Sequence, residues 1–222
     1  MNITNIIKMM AEEGEDVFEI SWSNAWTSAA YRRKFLTVAI LFTAVLLVFP
    51  LFFITIQQRQ GMVLNDWLLN ALPAVDVSFY IFSIIYVVIA FGIFRAVQSP
   101  ALFLLFLWCS LFLSLSRMLT ITLVPLEPPV GLVELVDPVL LPFYGHSTIT
   151  KDLFYSGHTS SVFLIYLILR RKREKLIALA ATIVVGVLLL IQHIHYTIDV
   201  VFAPLFVYLV FILAKKVTNI SA

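Results

Sequence analysis

Two short segments of this chain carry residue types suited to acid–base and nucleophilic chemistry. The first is HYTIDV, in which His195 and Asp199 stand four residues apart. Residues at that spacing share a helix face. A carboxylate against one imidazole nitrogen fixes the tautomer and leaves the other nitrogen to act as base or nucleophile. The second is Ser156-Gly157-His158-Thr159, which reads as the opening of a helix. The first amides of a helix lack intrahelical partners, and its dipole favours an anion. Gly157 lets backbone approach a ligand closely, and Ser156 or Thr159 can add a hydroxyl. The segment is a candidate phosphate cradle with an acid–base histidine, His158, inside it. Arg117, in SLSRMLTITLVP, can hold a phosphate through two hydrogen bonds. Tyr196, beside His195, joins Arg117, Ser156, Gly157 and Thr159 in the expected phosphate-binding group. Each piece alone has a plainer reading: a His–Asp pair that packs helices, a serine cap, an arginine snorkelling to headgroups.

What could position these pieces together is a membrane. Of 222 residues, 61% are hydrophobic and only 13% are charged, and the mean hydropathy is +1.00. A soluble domain is nearer half apolar and a quarter charged. The formal net charge of +2 gives no reason to expect a nucleic-acid partner. A spanning helix needs about 20 mostly apolar residues. Six candidate stretches are expected, near 35–56, 76–94, 101–123, 157–170 (short, and opening with polar residues), 176–192 and 195–214, with Pro50 and Pro204 inside spans. The expected fold is therefore an all-α membrane protein of six transmembrane helices. It divides into an interfacial N-terminal segment (1–34, with Trp22 and Trp26), a catalytic bundle (35–214) and a tail (215–222). No signal peptide is expected, because the first 30 residues include five acids.

Lys8, Arg32, Arg33, Lys34, Arg95, the run 170–175 and Lys215-Lys216 all fall on one side of such a bundle, leaving only Arg59, Arg117 and Lys151 opposite. The positive-inside rule then puts both termini in the cytoplasm. It also brings Arg117, His158, His195 and Asp199 to the non-cytoplasmic face. Ionisable residues at membrane depth mark function by default, and convergence from three distant segments strengthens that reading. His193 and His146 are expected to be non-catalytic. No metal is expected either: His193 and His195 lack a third ligand at metal spacing, and Cys109 is the only cysteine.

FYSGHTS, followed 37 residues after its histidine by HYTIDVV, resembles the sphingomyelin synthase family, within the wider lipid phosphate phosphatase superfamily. RMLTITLVPLEPP looks like that family's arginine–threonine–proline motif, and Leu72-Pro73 with Asp76 loosely echoes its first-loop motif. Two departures stand out. The family's Cys-Gly-Asp before SGHT is reduced to Asp152, and the phosphatase branch's Arg-Pro dipeptide is missing from the chain. The resemblance implies His195 as nucleophile, Asp199 as its orienting carboxylate and His158 as acid then base, with no cofactor. It further implies a glycerophospholipid donor and ceramide or another lipid alcohol as acceptor, or water if the enzyme is a phosphatase or phospholipase C. A bacterial inner membrane is the favoured location, and a secretory-pathway membrane fits the same topology.

Overall fold

The computed structural model describes residues 21–135, 137 and 149–219. Residues 1–20 and His146 lie outside them, so neither most of the N-terminal segment nor that histidine can be placed. Helices run in the order α1 (Trp22–Thr27), α2 (Ala29–Gln58), α3 (Trp67–Ala71), α4 (Ser78–Val97), α5 (Pro100–Leu123), α6 (Gly157–Ile168), α7 (Lys172–Ile191) and α8 (Thr197–Thr218). Among the described residues the only β pairing is an isolated bridge between Met62 and Leu126. Helices α2, α4, α5, α7 and α8 are long and apolar enough to cross a membrane. Pro50 and Pro204 sit inside continuous helices, as expected.

The fourth stretch, read as a short one over 157–170, forms a helix of 12 residues. At 1.5 Å per residue it is about 18 Å long, well short of a hydrocarbon core. The last helix begins at Thr197, two residues after His195, with Tyr196 as its N-cap. His195 therefore lies in the approach to α8 and not within it.

The short helix sits at the centre, against α4, α5, α7 and α8. Its buried side chains Val162, Leu164, Ile165 and Ile168 join clusters contributed by all four neighbours. One end of the bundle is basic. There Lys34 Nζ donates to Thr218 O at 3.1 Å, Arg95 pairs with Glu174, and Trp22 Nε1 donates to Val97 O at 2.9 Å.

The other end is closed by a polar cap of loops. Met62 N donates to Pro125 O and Glu127 N to Met62 O, both at 2.9 Å. Gly61 is required here, because a Cβ would stand 2.7 Å from the Leu126 carbonyl carbon. Glu127 accepts from Gly61 N and from Lys151 Nζ, each at 2.8 Å. The turn between α7 and α8 gathers these loops. Gln192, fully buried, accepts from Val77 N at 3.1 Å and donates to Ser78 Oγ at 2.7 Å. The ring nitrogens of His193 each face a loop carbonyl at 3.2 Å, those of Val130 and Leu72. Leaving one such buried group unpaired costs about 1–3 kcal/mol, so the polar run in an apolar sequence is explained by what it ties down.

The Lys151 ammonium, followed by burial acting the other way and the Gly61 amide, holds the Glu127 carboxyl below the ordinary carboxylate value. A depressed folded value stabilises above the unfolded value of about 4.3 and is lost as pH falls through the lower folded value. The melting temperature in detergent is expected to fall as pH drops below about 4, and Glu127→Gln should lower it at pH 7 while shrinking that acid-dependent fall. Identical pH profiles for the two proteins would remove Glu127 from the account.

Candidate functional site

Asp199 is the third residue of α8 and has no solvent exposure. Its Oδ2 accepts the Tyr196 amide at 3.1 Å, closing the start of the helix, and lies 3.3 Å from His195 Nδ1. A carboxylate there also gains from the helix dipole. The contact expected from helix spacing is thus made by a different geometry: the side chain turns back over the N-cap to reach a residue outside the helix. With Nδ1 facing the carboxylate, Nε2 of His195 is the nitrogen left for chemistry.

Helix α6 brings the second histidine. Ser156 caps it, its Oγ accepting from Thr159 N at 3.3 Å, and Ser156 N donates to the Asp199 carbonyl at 3.0 Å. That backbone bond ties the starts of α6 and α8 together. The rings of His158 and His195 lie 6.1 Å apart, centroid to centroid, edge to face. The edge of Phe82 from α4 backs His158 at 6.2 Å. Three buried polar atoms of these residues lack a hydrogen-bond partner among the described residues: His158 Nδ1, Thr159 Oγ1 and Asp199 Oδ1. Buried polar groups are ordinarily paired, and exceptions point to function.

Arg117 comes from α5, six residues before its end and so about 9 Å below it along the axis. Its Nε donates to Tyr155 O at 3.2 Å and its Nη2 to Asp152 Oδ1. The guanidinium lies against the backbone of Gly157: a Cβ there would be 2.4 Å from Nη1. Gly157 therefore admits the arginine to the first turn of α6. Tyr155 is held by Ser116, hydroxyl to hydroxyl at 2.7 Å, and by stacking on Phe206 with centroids 4.6 Å apart. Burial pushes the Asp152 carboxyl up, but the adjacent Arg117 guanidinium, aided by His195 and His158, holds it below the ordinary carboxylate value.

The structure brings His158, His195, Asp199, Arg117 and Gly157 to one end of the bundle, with Thr159 beside them. Ser156 is there too, its hydroxyl engaged as a helix cap. Tyr196 is directed elsewhere: its hydroxyl donates to Glu127 O at 3.0 Å and accepts from Leu64 N at 3.1 Å. It joins the site to the loops that carry Leu64 and Glu127 instead of facing the histidines. Asp76 bonds locally to Ser78. Sequence reasoning assigned no role to Asp152, which stands six residues before His158 and binds Arg117. Among the described residues no group of three or more His, Cys, Asp or Glu side chains is placed to hold a metal ion.

Residues 151–216 match the family model of the PAP2 superfamily C-terminal domain. No curated protein and no solved structure matches the chain significantly. The matched stretch contains Asp152, His158, His195 and Asp199, and Arg117 lies outside it. The match covers less than a third of the chain and likens that stretch to the PAP2 superfamily.

The close seat of Arg117 on Gly157 is testable without any assay of turnover. Gly157→Ala is expected to cost about 1–3 kcal/mol of stability by displacing the guanidinium from its partners. In an Arg117→Ala background the same change should cost much less, since the clash is gone. A double-mutant cycle read by denaturant or thermal unfolding measures this coupling; additive effects would mean the two residues do not compete for that space.

Proposed function

We propose that this chain is a membrane phospholipid headgroup phosphotransferase of the sphingomyelin synthase type. It would move a phospho-headgroup from a glycerophospholipid to ceramide or a related lipid alcohol. The observation that carries this reading is the buried His195–Asp199 pair facing His158 across the Arg117-bearing start of α6. In this reading six segments cross the membrane, α6 with its flanking residues making the fourth crossing. Both termini are cytoplasmic, the site opens on the non-cytoplasmic face, and a bacterial inner membrane is the favoured setting.

The chemistry follows from the positions. Nε2 of His195 attacks the phosphorus of the donor, forming an N–P bond as the bond to the diacylglycerol oxygen breaks. His158, protonated, gives its proton to that departing oxygen. The intermediate is a phosphohistidine diester carrying the headgroup. His158, now neutral, removes the proton of an acceptor hydroxyl, whose oxygen attacks phosphorus and releases His195. Arg117, lying on the amide end of α6, stabilises charge on the phosphoryl oxygens. Asp199 keeps the His195 tautomer and stabilises the positive charge the ring acquires. The same residues serve a water acceptor equally well. What favours a lipid acceptor is the likeness of FYSGHTS and HYTIDVV to the synthase family and the missing Arg-Pro of the phosphatase branch.

Purified protein in liposomes with headgroup-labelled phosphatidylcholine or phosphatidylethanolamine tests this directly. Label should enter a sphingolipid only when ceramide is present. Water-soluble phosphocholine or phosphoethanolamine released regardless of ceramide would instead make the enzyme a hydrolase. His195→Ala and His158→Ala should each abolish turnover while the protein still inserts, and Asp199→Asn should slow it about 10²–10⁴-fold. Substantial turnover by well-folded His195→Ala would overturn the nucleophile assignment.

A further inference from the structure

The first residue of α8, Thr197, carries an amide that no intrahelical carbonyl can accept. Its acceptor comes from 131 residues away. Asp66 Oδ2 takes the Thr197 amide at 2.6 Å, and Asp66 Oδ1 takes the Thr197 hydroxyl at 3.0 Å. The same Oδ1 caps α3 by accepting from Leu68 N at 3.1 Å and Leu69 N at 3.3 Å. Two residues earlier, Leu64 N donates to the Tyr196 hydroxyl at 3.1 Å. The first outer loop thus grips Tyr196 and Thr197, the two residues that follow His195. From the bundle side, Ser156 N holds the Asp199 carbonyl at 3.0 Å. His195 precedes α8 and has no helix of its own to fix its backbone, so its ring direction depends on this two-sided hold.

We propose that Asp66 is a positioning residue for His195, acting through Thr197 to set the angle at which the imidazole meets His158 and the phosphorus. This rests on the phosphotransfer reading for its kinetic consequence, though the geometric claim stands apart from it. Burial opposes ionisation of Asp66, but the amide and hydroxyl of Thr197, with the Leu69 and Leu68 amides, hold its carboxyl below the ordinary value. The brace is therefore a charged acceptor at neutral pH, the stronger kind of hydrogen bond. Asp76, the other acid of this loop, bonds among the described residues within its own turn, to Ser78, and serves as the control.

The test uses full-length protein in lipid nanodiscs, with phosphatidylethanolamine or phosphatidylcholine as donor and ceramide as acceptor. Asp66→Asn is expected to lower kcat about 10–100-fold with little change in KM for the donor, the scale on which small misplacements act. Asp66→Ala should lose more, Thr197→Val less, and Thr197→Ser and Asp76→Asn should match the wild-type protein. Ring-¹⁵N spectra of histidine-labelled protein supply the readout that a merely structural brace would not move. The His195 signals, assigned by their loss in His195→Gln, should shift in Asp66→Asn and Thr197→Val and stay in place in Asp76→Asn. Unchanged His195 signals together with wild-type kcat per folded molecule would overturn the proposal, whatever the loss of melting temperature. If the wild-type protein turns over neither lipid, the phosphotransfer reading fails, and the spectra alone still decide whether Asp66 positions His195.

Discussion

A single buried carboxylate organises the working end of this molecule. Asp199 has no exposure to solvent and sits where α8 begins. Burying a carboxylate in an apolar bundle is costly unless it is compensated. Here the compensation is the structure itself: the Tyr196 amide, the His195 ring, the dipole of α8 and the Arg117 guanidinium nearby. Its backbone carbonyl also takes the Ser156 amide, docking the start of α6. One residue therefore fixes the helix start, the histidine and the neighbouring helix.

The level of the site follows from one contact. Helix α6 has 12 residues and α5 has 24, and the first turn of α6 meets Arg117, six residues before α5 ends. Gly157 allows the arginine to rest there. A short central helix thus begins among long ones. Near the starts of α6 and α8 three buried polar atoms are left without partners among the described residues.

The polar run Gln192-His193-Ile194-His195-Tyr196-Thr197 divides its labour by register. Gln192, His193, Tyr196 and Thr197 reach outward and tie down the loops. His195 and, one turn on, Asp199 are turned toward α6. This explains how so apolar a chain tolerates two adjacent sets of polar side chains. One set satisfies loop backbone that would otherwise be buried without partners, and the other is kept for the site.

Long apolar stretches, the His195–Asp199 spacing and the Ser156 cap were legible in the sequence because each depends on residues within about one turn or one span of each other. The same local patterns marked Arg117 and His158 as unusual. They marked α6 as short, and they put His195 inside a helix it only precedes. Tyr196 read as a group beside the histidine, yet its hydroxyl is taken by Glu127 O and Leu64 N. Asp152 was marked only as the remnant of a family motif, with no partner to assign it, and Asp66 had no signal pointing to Thr197. What the chain's own order determined was which segments are apolar, where helices start and which polar groups they carry. Only the tertiary structure decided that Arg117 rests on Gly157 and that Asp66 meets Thr197, because such contacts depend on how helices stack and leave no periodic trace in the sequence.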